Sequence, residues 1–160
     1  LLLDYEAHRM LQHFTKSLNH FYRDNAPLWE NDFSWEGFSW IAHDDYTQSI
    51  ISFRRMDNHD GELVALCNFN PVKREHYRIG APFYGTYTEV FNSSSKDGSP
   101  YANPPIKAEK EPMHGFEQSI AIDIPAMSVM YFKVKKAPTG RKPKQTENNK
   151  PEKATKKSVK

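Results

Sequence analysis

Ile120, Ile122 and Ile124 recur at every second position, with Ser119, Ala121 and Asp123 between them. A helix turns about 100° per residue and cannot hold such a set on one side. A strand points alternate residues to opposite faces, so Glu117 to Ile124 is expected to be a strand with one buried face. Met130, Phe132 and Val134 repeat the pattern over Ser128 to Val134, beyond a Pro125-Ala126 turn. Ile51 and Phe53 alternate with polar neighbours, and Asp57-Asn58-His59-Asp60-Gly61 follows as a loop with a glycine at its end. Glu62 to Phe69 is almost continuously apolar, the mark of a strand at the centre of a packed sheet, and Asn70-Pro71 ends it. Tyr77-Arg78-Ile79 reads as a short strand and Thr86 to Asn92, after Gly85, as a β-branched and aromatic one. Ser93 to Glu111 reads as a long loop rich in Ser, Pro, Lys and Gly. Short strands separated by turns, with no internal repeat, predict a mainly β fold, an antiparallel β-sandwich.

The N-terminal third has a different period. Ala7, Met10, Leu11, Phe14, Leu18, Phe21 and Tyr22 recur at spacings of three and four, which predicts an amphipathic helix with one wide apolar stripe. Asp4 is the expected N-cap. Asn25 and Pro27 end the helix, because a residue before proline avoids helical angles. A stripe this bulky needs a large partner surface. The pattern leaves two open: the β-rich remainder of the chain, or a domain outside it. The chain opens on Leu1-Leu2-Leu3 with no initiator Met, and is expected to be a piece of a longer protein.

All three tryptophans, Trp29, Trp35 and Trp40, fall between Pro27 and Ile41. One reading is a hydrophobic seam joining a helical layer to the β-domain, since buried aromatics mostly pack. The other is a sugar platform, with flat rings stacking on the apolar faces of glucose units. Trp29, Trp35 and Trp40 are therefore the candidate substrate-binding residues.

Charge separates the chain into two parts. Residues 137–160 carry eight Lys and Arg against two acids, while the remaining fourteen basic and eighteen acidic residues leave the body at −4. The stretch 137–160 has almost no large apolar residue and is expected to be disordered. It lacks the interleaved aromatics and basic folded face of a nucleic-acid binder, so no nucleic-acid partner is expected. No apolar run is long enough to span a membrane and nothing resembles a signal peptide. Cys67 is the single cysteine. It excludes an internal disulfide framework and fits a reducing compartment. Its apolar run, Leu63 to Leu66, marks it as a buried small hydrophobe rather than a nucleophile.

An ordered series of segments carries a family resemblance. It runs through Leu2-Leu3-Asp4-Tyr5-Glu6-Ala7-His8-Arg9, Ala26-Pro27-Leu28-Trp29-Glu30, Gly37-Phe38 and Trp40-Ile41. It continues through Ser49 to Arg55, Cys67-Asn68-Phe69-Asn70-Pro71-Val72, Tyr77 to Gly80, Tyr87 to Ser93, His114-Gly115 and Ser119-Ile120. This series resembles the C-terminal part of bacterial 1,4-alpha-glucan (glycogen) branching enzymes, of the alpha-amylase superfamily, up to about Lys136. The resemblance implies an all-β C-terminal domain over residues 39–136. Residues 1–38 would be the last helical element of a catalytic βα barrel and its connecting seam, and 137–160 an appended tail that the resemblance does not cover. Where family members often carry a glycine-rich segment, this chain has Ser94-Ser95-Lys96-Asp97-Gly98-Ser99-Pro100.

Branching enzymes act by retaining transglycosylation, with one carboxylate as nucleophile and a second carboxyl group as acid/base. The family's motifs for these precede the region seen here, and the chain contains none of them. His43-Asp44-Asp45 resembles the sugar-holding His-Asp pair of such barrels but lies at the start of the β-domain, where Asp44 and Asp45 are expected to solvate a turn. His8, His13 and His20 lack the one-face spacing of a metal site, and no cysteine cluster suits zinc. Glu109 and Glu111 sit in a charged loop with no apolar pocket to raise a pKa. Arg54 and Arg55 should point to opposite faces, one of them able to pair with a carboxylate across a seam. No catalytic residue, metal ligand or cofactor is expected. The expected role is a structural one within a cytoplasmic branching enzyme of glycogen synthesis, with α-glucan as the partner of the whole enzyme. Two alternatives are a free-standing glucan-binding module and the C-terminal domain of an α-amylase-like hydrolase or trehalohydrolase.

Overall fold

The alternating isoleucines line the interior of a two-layered β structure in the computed structural model, which describes residues 2–138. One helix, α1 (Glu6–Arg23), precedes eight strands. These are β1 (Phe38–Asp45), β2 (Ile50–Met56), β3 (Glu62–Asn68), β4 (Arg74–Gly80), β5 (Gly85–Asn92), β6 (Ile106–Lys107), β7 (Ser119–Ile124) and β8 (Ser128–Lys136). Six form one sheet in the order β1-β2-β3-β8-β5-β6, and β4 pairs with β7 in a second. The β1–β2, β2–β3, β3–β8, β5–β8, β5–β6 and β4–β7 pairings are all antiparallel. The expectation for 137–160 falls, apart from Ala137 and Pro138, outside the described residues.

Register explains the core. Val64 lies opposite Phe132 and Leu66 opposite Met130, so their side chains share one face of the large sheet. Ile120, Ile122 and Ile124 of β7, with Ile79 of β4, meet them from the small sheet in one cluster. Each fully buried isoleucine contributes about 2 kcal/mol of transfer free energy, an upper figure because denatured chains already bury some surface. Every residue of β3 is buried, as its unbroken apolar run predicts for a central strand. Cys67 lies within it, and burial pushes its thiol up to about 11, which makes it an inert packing group.

Three local expectations are corrected. The N-cap position of α1 is Tyr5, not Asp4, with no side-chain cap. Leu2–Asp4 instead forms a 3₁₀ turn whose Leu3 and Asp4 carbonyls accept from Arg9 at 3.1 and 2.8 Å. The stretch 93–111 is not wholly loop, since Ile106 and Lys107 pair with Tyr87 and Thr86. β4 runs seven residues rather than three, with an irregularity between Arg74 and Tyr77 where His76 takes φ 52°.

The helix lies on the outer face of the large sheet. Phe21 packs on Phe91 and Tyr131 at ring-centroid distances of 4.8 and 5.3 Å, and Phe14 on Phe91 at 5.9 Å. Gly98 (φ +79°) lies so close that a Cβ there would meet the Phe91 ring at 2.2 Å, so the one glycine of the Ser94–Pro100 segment is required by both backbone and packing. No helix among the described residues is long and apolar enough to cross a membrane.

Candidate functional site

The outer face is built from the residues of β1 and β2 that point away from the core. Trp40 lies opposite Phe53 and Phe38 opposite Arg55, which puts all four side chains on that face. Phe38 contacts Trp40 edge-on at 4.9 Å and Phe53 at 5.3 Å, and Trp40 also meets His43 at 5.5 Å. Trp40 remains 48% exposed. Beside this cluster the segment that leads from α1 to β1 is clamped by Arg55, which donates to the Pro27 carbonyl at 3.2 Å and pairs with Asp32 at 2.9 Å. Arg54 points to the other face and pairs with Glu62 at 3.5 Å. The opposite facing of the two arginines follows from strand alternation.

The tryptophans are not one platform. Trp29 donates its indole N–H to the Arg23 carbonyl at 3.2 Å, so its polar edge closes the C-terminal end of α1, and its ring is 43% exposed. Trp35 sits in a single 3₁₀ turn, Trp35–Gly37, and is 85% exposed. Among the described residues no ring contact joins Trp29 or Trp35 to Trp40, which alone belongs to the aromatic cluster.

The exposed side of α1 is also apolar. Leu2, Leu3 and Leu11 border an open groove of about 750 Å³, with His8, Lys16 and His20 among its polar rim. Leu11 is 63% exposed. The stripe therefore splits, with Phe14 and Phe21 meeting the sheet, Leu18 and Tyr22 bordering a groove against Phe53 and Tyr131, and Leu11 staying largely outside.

His43, Asp44 and Asp45 end β1. Asp45 accepts from the Thr47 hydroxyl at 2.9 Å and the Gln48 N–H at 3.2 Å, which organises the turn, and its other oxygen accepts from the Tyr77 hydroxyl. Burial would raise the Asp45 carboxyl, but these hydrogen bonds outweigh it and hold the group below its ordinary value. A carboxylate occupied on both oxygens by a turn and a neighbouring strand is a structural group. Glu109 and Glu111 both pair with Arg78, at 2.8 and 3.3 Å. The His8 ring contacts the Leu2 carbonyl at 2.8 Å, and no group of His, Cys, Asp and Glu among the described residues is arranged to hold a metal.

Sequence reading placed Tyr101 and Asn103 only within a loop. In the fold they gather around Glu89, a buried carboxylate of β5 whose alternation with Tyr87 gave no hint of partners twelve or more residues away.

Residues 40–135 match the family model described as the alpha amylase, C-terminal all-beta domain. The chain is 44% identical over 138 residues to the 1,4-alpha-glucan branching enzyme GlgB of Halothermothrix orenii, a match covering 83% of this chain and 22% of that protein. The enzyme of the same name from Aquifex aeolicus is 42% identical, over 82% of this chain and 22% of the relative. That of Clostridium perfringens is 35% identical, over 84% and 21%. The matched region thus spans about a fifth of the length of these relatives.

Proposed function

This chain belongs to the family of alpha amylase C-terminal all-beta domains, and from that premise we propose that it is the C-terminal supporting part of a cytoplasmic 1,4-alpha-glucan branching enzyme. The observation that carries the reading is the uncovered apolar side of α1, where Leu2, Leu3 and Leu11 border open space in a chain whose similar proteins are far longer. Large exposed apolar surfaces mark partner sites, and a catalytic barrel is the partner this one fits. In this reading residues 1–38 are the barrel's last helical element and seam, 39–136 the all-β domain and 137–160 a tail. The barrel supplies the carboxylates that transfer an α-1,4 chain to a glucan 6-hydroxyl, and the β-domain braces it.

A chimera tests this. The matching region of the Halothermothrix orenii enzyme is replaced by this chain, and loss of iodine staining of amylose is followed. Branching by the chimera and none by the chain alone is the expected result. An inactive but folded chimera, or branching by the chain alone, overturns the proposal. Release of reducing ends in place of branching would favour an α-amylase-like hydrolase as parent.

A second reading rests on the exposure of Trp35 and Trp40. In it the chain binds glucan by itself. Co-sedimentation with glycogen that is lost in Trp35→Ala supports it, and no retention on glycogen removes it.

A further inference from the structure

We propose that the groove between the β4–β7 sheet and the Tyr101 loop is a binding site for a short neutral oligosaccharide of the α-glucan class. It lies on the opposite layer of the sandwich from Trp40. The choice of glucan rests on the functional reading above, and the site itself rests on three observations.

The first is shape. Lys73, Arg74, Glu75, Tyr101, Asp123 and Pro125 border a groove of about 380 Å³. The second is a rigid aromatic platform. Tyr101 is 59% exposed, yet its backbone N–H is tied to a buried carboxylate. Its N–H and that of Ala102 donate to Glu89 Oε1 at 3.0 and 3.3 Å, while the Asn103 amide donates to Glu89 Oε2 at 2.8 Å. Asn103 also donates to the Asp123 carbonyl at 2.9 Å and accepts from the Asp123 N–H at 2.8 Å, which joins the loop to the wall of the groove. A buried carboxylate is stable only when hydrogen bonded, and here the loop supplies three donors beside the Asn92 amide of β5. A platform fixed before binding loses little conformational entropy when a ligand arrives. A tyrosine ring joins an apolar body to a polar tip, which suits the face and edge of a sugar.

The third observation is charge. Lys73 and Arg74 balance Glu75 and Asp123, so the groove favours neither an anion nor a cation. It does present donors and acceptors together, which matches hydroxyl groups that both donate and accept.

The test is an amide NMR titration of the whole chain with maltohexaose. Shifts centred on Tyr101, Ala102, Asn103 and Asp123 are expected. Tyr101→Ala should weaken binding about tenfold, because it deletes the stacking face but keeps the N–H that Glu89 holds. Tyr101→Phe, which keeps the stacking face and loses only the hydroxyl, should weaken binding less than Tyr101→Ala. Unchanged Ala102 and Asn103 amides in the free variants show that the loop is intact. Shifts confined to Trp35 and Trp40, no shifts at all, or binding indifferent to Tyr101→Ala would each overturn the site. None of these outcomes touches the supporting role, which the branching activity of the chimera reads separately.

Discussion

The Arg55 guanidinium meets the Asp32 carboxylate at 2.9 Å while donating to the Pro27 and Leu28 carbonyls at 3.2 and 3.4 Å. One strand residue therefore fixes the segment that carries Trp29 and leads α1 into the sheet. The Arg55 side chain is largely buried and Asp32 is half exposed, so the two ends of the pair are not equivalent. Arg55→Met should cost about 2 kcal/mol, because it strands two carbonyls and a carboxylate. Asp32→Asn should cost less than about 1 kcal/mol, because the exposed end is screened. Urea unfolding of both variants checks the order, and a larger loss at Asp32 would reverse the account.

Tyr77 and Asp45 tie the small sheet to the edge strand of the large one, and they perturb each other's titration. Asp45 titrates below its ordinary 3.8, so its contribution is present above 3.8 and lost as pH falls through the lowered value. Tyr77 is raised above 10.0, first by burial and then by its bond to Asp45. Its contribution is present below 10.0 and lost as pH rises through the raised value. Tyr77→Phe should cost about 1 kcal/mol at neutral pH and flatten the stability profile at both ends. The acid end should flatten only in part, because Thr47 and Gln48 still donate to Asp45. Thermal melts across pH measure both slopes.

Glu62 has the opposite sign on the acid side. Burial raises its carboxyl above the ordinary 4.5 despite the attraction of Arg54 and Lys136. Its contribution is therefore present below 4.5 and lost as pH rises through the raised value. Stability of the parent chain should carry this loss as pH rises above 4.5, and Glu62→Gln should remove that slope. An unchanged slope in the variant would overturn this account.

The two sides of α1 should respond differently to substitution. Leu11→Gln should change stability by less than about 0.5 kcal/mol, since the side chain is already exposed, but should reduce self-association and the binding of an apolar dye. Phe21→Ala should cost about 2 kcal/mol through lost contact with Phe91 and Tyr131. Sedimentation and denaturation of the pair separate the two effects. A parent chain that is monomeric and dye-silent would count against an unpartnered apolar face.

Much of this was legible beforehand, for a definite reason. The alternation of Ile120, Ile122 and Ile124, and of Met130, Phe132 and Val134, is a local property, and the buried faces of β7 and β8 follow it. The unbroken run from Glu62 marked β3 as central, and Arg54 and Arg55 diverge as neighbours on a strand must. The candidate tryptophans were visible as residues but not as a surface, because Trp40 joins Phe38 and Phe53 only through the β1–β2 register. Glu89 gave no signal, since apart from Asn92 its donors lie twelve to fourteen positions further on in a segment read as loop.

Sequence alone determined the kinds of element, which face of each strand is apolar, and the family, because these reside in near neighbours and in an ordered series of motifs. Tertiary structure alone decided that β8 lies between β3 and β5, and that β4 and β7 form a separate layer. It also decided that Phe14 and Phe21, rather than Leu11, meet the sheet. Those outcomes depend on backbone pairing and side-chain packing between residues up to about a hundred positions apart. Both alternatives have the same local pattern, and only the assembled core selects between them.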